Sequence, residues 1–186
     1  LYQTWSDTRG QSANRMADLS NWSELGPTTW NATSGWNPGV GRITSLAIQE
    51  TNANHMIVGS PTGGIWKSLD GGSSWNVLTD DFINMRVYSL AMDPADASKY
   101  YWGSNSGIIF ISTDAGLTWN ESVNLPGSDV NKILIHPSNS NLVWCSIAGG
   151  GIFRSTDGGG TWSSNLTSSS SAYDIEFKPG DTNTLY

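Results

Sequence analysis

Three short segments of this 186-residue chain repeat one pattern. They read Ser68-Leu-Asp70-Gly-Gly72-Ser-Ser-Trp75, Ser112-Thr-Asp114-Ala-Gly116-Leu-Thr-Trp119 and Ser155-Thr-Asp157-Gly-Gly159-Gly-Thr-Trp162. Each is S-x-D-x-G-x-[ST]-W, and the spacings are 44 and 43 residues. A second signature keeps the same beat: "SLAIQE", "SLAMDP", "KILIHP" and "DIEFKP" end at Glu50, Pro94, Pro137 and Pro179. A period of about 43 residues is that of one four-stranded propeller blade. The expected fold is therefore all-β, a β-propeller of four-stranded antiparallel blades. Residues 41–186 are expected to hold three complete blades and a truncated fourth, as a fragment of a larger ring of about seven blades. Residues 1–40 are read as an N-terminal arm, with the strand around Trp22 closing the ring.

Within a period, strand one is "ITSLAIQ", "VYSLAMD" or "VNKILIH", and a polar turn follows. Strand two is "HMIVGS", "YYWGSN" or "LVWCSI", and strand three is "GIWKS", "IIFIS" or "GIFRS". These runs are apolar on both faces more often than they alternate, as strands covered on both sides should be. The Ser-x-Asp segment then forms the hairpin into strand four. Its carboxylate can accept backbone N–H groups of its own turn. The Gly two residues on suits a left-handed backbone, and the Trp covers the turn. Ser68, Asp70, Gly72 and Trp75, with Ser112, Asp114, Gly116 and Trp119 and Ser155, Asp157, Gly159 and Trp162, are thus read as structural, with no catalytic role.

Composition narrows the function. Charged residues are only 13% of the chain, and nine Lys and Arg face sixteen Asp and Glu for a net charge of −7. Phosphate recognition needs clustered cations, so no nucleic-acid partner is expected. No apolar run reaches the ~20 residues of a membrane span. Cys145 is alone and can form no intrachain disulfide. His55 and His136 have no ligand-like neighbours and are expected in turns between strands, so neither a metal nor a cofactor is expected.

The three boxes resemble the Asp-box (BNR) repeat of sialidase-like and sortilin-type β-propellers. "NWSELGP", "GVGRITSLAI" and "GSPTGGIWKSLDGGSSW" look similar to secreted Bacteroidetes propellers exported by the type IX route. The resemblance implies an extracellular or cell-surface location. It also implies where catalytic groups of such enzymes would lie. Arg42-Ile43-Thr44 resembles the Arg-Ile-Pro segment of sialidases but lacks the Pro. Propeller glycosidases that cut xyloglucan carry an Asp in the loop after strand two, where Pro61 stands in this chain. Loops Gly59–Gly64, Gly103–Gly107 and Ser146–Gly151 contain no acid. Ordinary glycoside hydrolysis needs two flanking carboxylates, so these residues supply no catalytic pair.

Candidate ligand-binding residues remain. Arg42 and Arg86 precede strand one of successive blades, and Asp129 and Ser171 hold the same position in the next two. Two guanidiniums there could hold a carboxylate or sulfate. The simpler reading pairs them with Asp129 or Asp81. Trp30 and Trp36 could stack on sugar rings, whereas Trp66, Trp102 and Trp144 are assigned to the core. The expected role is a secreted module binding a glycan or protein. The alternatives are a glycoside hydrolase whose acids lie beyond residue 186, and a component or cargo of an outer-membrane secretion assembly.

Overall fold

Each period lays down four short strands that pair in the order in which they occur. The computed structural model describes residues 42–82, 86–166 and 171–186. The first blade comprises β1 (Ser45–Gln49), β2 (Asn52–Ser60), β3 (Gly64–Ser68) and β4 (Asn76–Val77). The second comprises β5 (Ser89–Met92), β6 (Tyr100–Gly103), β7 (Ile108–Ser112) and β8 (Asn120–Asn124). The third comprises β9 (Val130–His136), β10 (Asn139–Ile147), β11 (Gly151–Ser155) and β12 (Ser163–Leu166). A hairpin of β13 (Phe177–Lys178) and β14 (Asp181–Leu185) follows. All pairings are antiparallel between chain neighbours. No helix occurs among the described residues. The expected N-terminal arm and closing strand, including Trp22, Trp30 and Trp36, lie outside the described residues.

Register is the same in every blade. Val58 pairs with Leu46 on one side and Trp66 on the other. Trp102 sits likewise between Leu90 and Phe110, and Cys145 between Ile133 and Phe153. One face of each sheet packs on the opposite face of the next. Ile57 and Ile65 of the first blade share a core with Leu90, Met92, Tyr100, Trp102 and Phe110 of the second. Ala91, Tyr101 and Ile109 of the second share one with Ile133, Ile135, Val143, Cys145 and Phe153 of the third. The second blade is covered on both faces, so β5 and β6 are buried at every residue. That explains their continuous apolar runs. Gly103 is forced by this packing: a Cβ there would meet the Val130 side chain at 2.7 Å.

Three details differ from the expectation. Strand two begins earlier in the first and third blades, because Asn52 and Asn139 already pair with Gln49 and His136. His55, the first residue of the expected strand two, therefore lies inside β2, and the turn expected for it is not found. It is buried, with Nδ1 2.9 Å from Gln49 Oε1 and Nε2 2.6 Å from the Tyr100 hydroxyl. His136 is likewise a strand residue, the last of β9. Trp66 is not a core residue: it is 38% exposed, on a face shared with exposed Leu46 and Ile48. Its Nε1 donates to the Gly63 carbonyl at 2.8 Å.

Candidate functional site

The hairpin turns use their own polar groups. Asp70 Oδ1 accepts the Ser74 N–H at 2.8 Å, and Asp114 and Asp157 accept those of Thr118 and Thr161 at 2.9 and 2.8 Å. The second carboxylate oxygen takes the hydroxyl of the same Ser or Thr. Ser68, Ser112 and Ser155 each donate to the Asp and accept the N–H of Gly72, Gly116 or Gly159 at 2.8 Å. These hydrogen bonds, the Ser74, Thr118 and Thr161 hydroxyls first, hold the three carboxyls down to about 2. Groups so acidic stay ionised and make poor proton donors at neutral pH. The three glycines have φ of 91, 87 and 92°, which only Gly adopts cheaply. Nε1 of Trp75 and of Trp162 closes the turn on the Gly72 or Gly159 carbonyl at 3.0 Å. Trp119 differs. Its ring packs edge-on against Trp102, and its buried Nε1 has no acceptor among the described residues.

The opposite ends of the sheets carry the candidate binding residues. There the first strand of each blade starts and the second and third strands are joined. A row of side-chain donors ties these starts together. Thr44 Oγ1 donates to the Val87 carbonyl at 2.8 Å, Ser89 Oγ to that of Val130 at 2.7 Å, and Asn131 Nδ2 to that of Ala172 at 2.8 Å. Val87, Val130 and Ala172 are equivalent positions, so each blade grips the same carbonyl of the next. The Arg86 carbonyl accepts Trp102 Nε1 at 2.9 Å and Ser104 Oγ at 2.8 Å. Arg42 and Arg86 are thus placed at this end on a fixed backbone, and both are exposed. Asp129, half-buried, and exposed Ser171 follow at the equivalent positions.

The three loops joining strands two and three are short and carry no carboxylate: Pro61–Gly63, Ser104–Gly107 and Ala148–Gly150. Gly107 N–H donates to Ser128 O and Ser128 N–H to Ala148 O, which binds loop to loop across the blades. Among the described residues no group of three His, Cys, Asp or Glu side chains is placed to hold a metal ion. No described helix is long and apolar enough to cross a membrane.

Some contacts between blades had no signal in the sequence. Lys67 Nζ reaches from the first blade to the Ala115 carbonyl of the second box at 2.8 Å. From the second blade, the Tyr101 hydroxyl and Lys99 Nζ reach the Gly158 carbonyl of the third box at 2.9 and 3.2 Å. Burial raises the Tyr101 hydroxyl far above its ordinary value and lowers Lys67. The residue types differ from blade to blade, so the periodicity conceals them.

Sheets of this pairing and stacking occur in known propellers. An ancestral GH74 enzyme superposes with a TM-score of 0.66 at 23% identity, covering 78% of this chain and 21% of that one. The fold is a β-propeller. The GH74 enzyme of Niastella koreensis gives a TM-score of 0.57 at 23% identity, covering 67% and 22% of the two chains. YCF48 bound to D1 peptide gives 0.61 at 18% identity, covering 77% and 48%. This chain thus spans about a fifth of the GH74 propellers and about half of the YCF48 chain. No family model and no curated protein sequence matches it.

Proposed function

We propose that this propeller is a secreted or cell-surface binding module for a glycan or protein. Its Ser-x-Asp turns are read as Asp boxes of the type found in sialidase-like and sortilin-type propellers. The observation that carries the reading is the end of the sheets bearing Arg42 and Arg86. It combines a hydrogen-bonded frame, neutral Ser-, Asn- and Gly-rich loops and two exposed guanidiniums, with no carboxylate in any strand two–three loop. Such a surface can hold hydroxyls, peptide groups and an anionic substituent without cleaving a bond. The likeness to YCF48 bound to D1 peptide supports a propeller that takes a polypeptide, and the likeness to the GH74 xyloglucanase of Xanthomonas campestris supports one that takes a polysaccharide. Export by the type IX route and attachment to an outer-membrane assembly are further parts of the proposal, resting on the sequence resemblance.

The test is calorimetric binding of acidic and neutral oligosaccharides and of an acidic peptide to the chain and to Arg42→Ala and Arg86→Ala. Binding of an acidic ligand that weakens about tenfold or more in either variant, with the thermal midpoint unchanged, supports the reading. Ligand binding that ignores both substitutions removes this end of the sheets as the site. A second reading is glycoside hydrolysis, favoured by the GH74 likeness. It requires a carboxylate pair beyond residue 186, and release of reducing ends from xyloglucan by the protein extended beyond that residue would replace the first reading with it.

A further inference from the structure

The first and second sheets meet through two kinds of contact. Most of it is apolar, with Ile57 and Ile65 against Leu90, Met92, Trp102 and Phe110. At the end where strand two begins, an imidazole meets a phenol instead. His55 of β2 is buried, and its Nε2 lies 2.6 Å from the hydroxyl of Tyr100, the first residue of β6. Two residues before the cross-strand partners Ile57, Tyr101 and Trp144, the three blades have His55, Lys99 and Leu142. The imidazole thus belongs to the first of these interfaces alone. We propose that His55 makes the packing of the first sheet on the second a pH-sensitive latch, closed while its ring is neutral and loosened when the ring takes up a proton.

The partners fix the direction of each hydrogen bond. Gln49 Nε2 donates to Thr51 Oγ1 at 3.3 Å, which turns Gln49 Oε1 toward His55 Nδ1 at 2.9 Å. An amide oxygen only accepts, so Nδ1 carries the ring proton. Nε2 then holds the lone pair and accepts the Tyr100 O–H. Tyr100 is fully buried, and burial raises its hydroxyl to about 12, so it stays protonated at neutral and acid pH. A second proton on the imidazole would go to Nε2. The phenol would then have to turn its own O–H away, and it has no other hydrogen-bond partner among the described residues. Either two donors face each other or a buried hydroxyl proton is orphaned, and both are unfavourable.

The charged groups around the ring do not offset this cost. From β3, Lys67 adds a positive charge, with its Nζ on the Ala115 carbonyl. Burial first, and the Lys67 charge second, lower the imidazole below its ordinary 6.5. Glu50 follows β1, is exposed, and makes no hydrogen bond or ion pair with His55. The box carboxylates of the two blades, Asp70 and Asp114, are taken up by Ser74 and Thr118 of their own turns. Lys99, beside Tyr100, reaches the carbonyl of Gly158 in the third box. The next interface is built differently. There the Tyr101 hydroxyl donates to the Gly158 carbonyl, a group that does not titrate, and no imidazole joins the core between the second and third sheets.

The pH window follows. Because the packed imidazole is less basic than the same ring in an opened chain, the latch contributes in full above its ordinary 6.5. As pH falls below that value the opened state binds a proton first, and the packing weakens until the packed ring is charged as well. The Asp70 and Asp114 carboxyls, held at about 2, stay ionised throughout.

Hydrogen exchange at about pH 7.5 and about pH 5.5 tests the latch, with each rate expressed as a protection factor to remove the intrinsic pH dependence of exchange. On acidification, protection of the β2 and β3 amides should fall at least about threefold more than that of the β10 and β11 amides. His55→Gln keeps a polar side chain that takes up no proton, and it should abolish this difference. Tyr100→Phe removes the hydroxyl that opposes the second proton. It should shrink the difference and move the His55 titration, followed by NMR, up toward its ordinary value, and it carries the test if His55→Gln does not fold. Four results would overturn the proposal: no loss of protection, an equal loss in both pairs of strands, a loss undiminished in both variants, or a His55 ring that titrates at or above 6.5 in the parent.

Discussion

Ser112→Ala isolates what a box contributes. Ser112 is fully buried, and its Oγ accepts the Gly116 N–H at 2.8 Å while donating to Asp114 Oδ1 at 2.8 Å. Alanine keeps the backbone and most of the volume but leaves the Gly116 N–H without an acceptor. An orphaned buried donor costs about 1–3 kcal/mol. For a domain of roughly 150 residues, each kcal/mol moves the midpoint by about 2–4 °C, so a fall of about 2–12 °C is expected. Differential scanning fluorimetry measures it, with Ser73→Ala as control, because Ser73 is exposed and makes one bond to the Asp70 carbonyl. The loss of the Ser112 hydroxyl also removes a donor to Asp114, so that carboxyl should titrate at higher pH by NMR. A midpoint within about 1 °C of the Ser73→Ala control would refute the assignment of the box as a structural unit.

Gly103→Ala should destabilise by about 1–3 kcal/mol in urea titration, because the new methyl meets Val130 and Ser89 across the blade interface. Ala115 sits at a φ of 61° in the turn where the first and third boxes have Gly. Ala115→Gly should therefore stabilise by about 0.5–1 kcal/mol, read from the same titration. The three box carboxyls titrate at about 2 in the fold against an ordinary 3.8. A lowered folded value means that their stabilisation is complete above about pH 4 and is lost as pH falls toward 2. Acid unfolding followed by circular dichroism should then begin at higher pH in Asp70→Asn, Asp114→Asn and Asp157→Asn than in the parent.

The hairpin turns were legible because their chemistry is local. Ser, Asp, Gly and Ser or Thr fall within seven residues, and each makes its bond inside that window. Strand two was legible only in its apolar half. The "TNAN" and "SNSN" runs read as turns, yet Asn52 and Asn139 already pair with the neighbouring strand. His55, at the head of the apolar run, lies mid-strand as a result. Trp66 reads as a core residue because it stands in an apolar strand, yet it is 38% exposed where its equivalents Phe110 and Phe153 are buried between two sheets. The links Lys67 to Ala115 and Tyr101 to Gly158 join a side chain to a carbonyl in another blade. A backbone acceptor leaves no mark on residue identity, so no pattern in the chain announces them.

The stacked arrangement also makes Cys145 a clock. Its thiol is fully buried where the second and third blades meet, and burial pushes its ionisation far above the ordinary range. A thiol reagent can reach it only when those two sheets part, since the reactive form is the thiolate. No residue of the first sheet belongs to that contact, so the first sheet can open without exposing the thiol. Labelling of Cys145 therefore times the separation of the second and third sheets, and hydrogen exchange of the β1–β2 amides times the opening of the first. Comparing the two rates distinguishes a molecule that opens sheet by sheet from one that opens all at once.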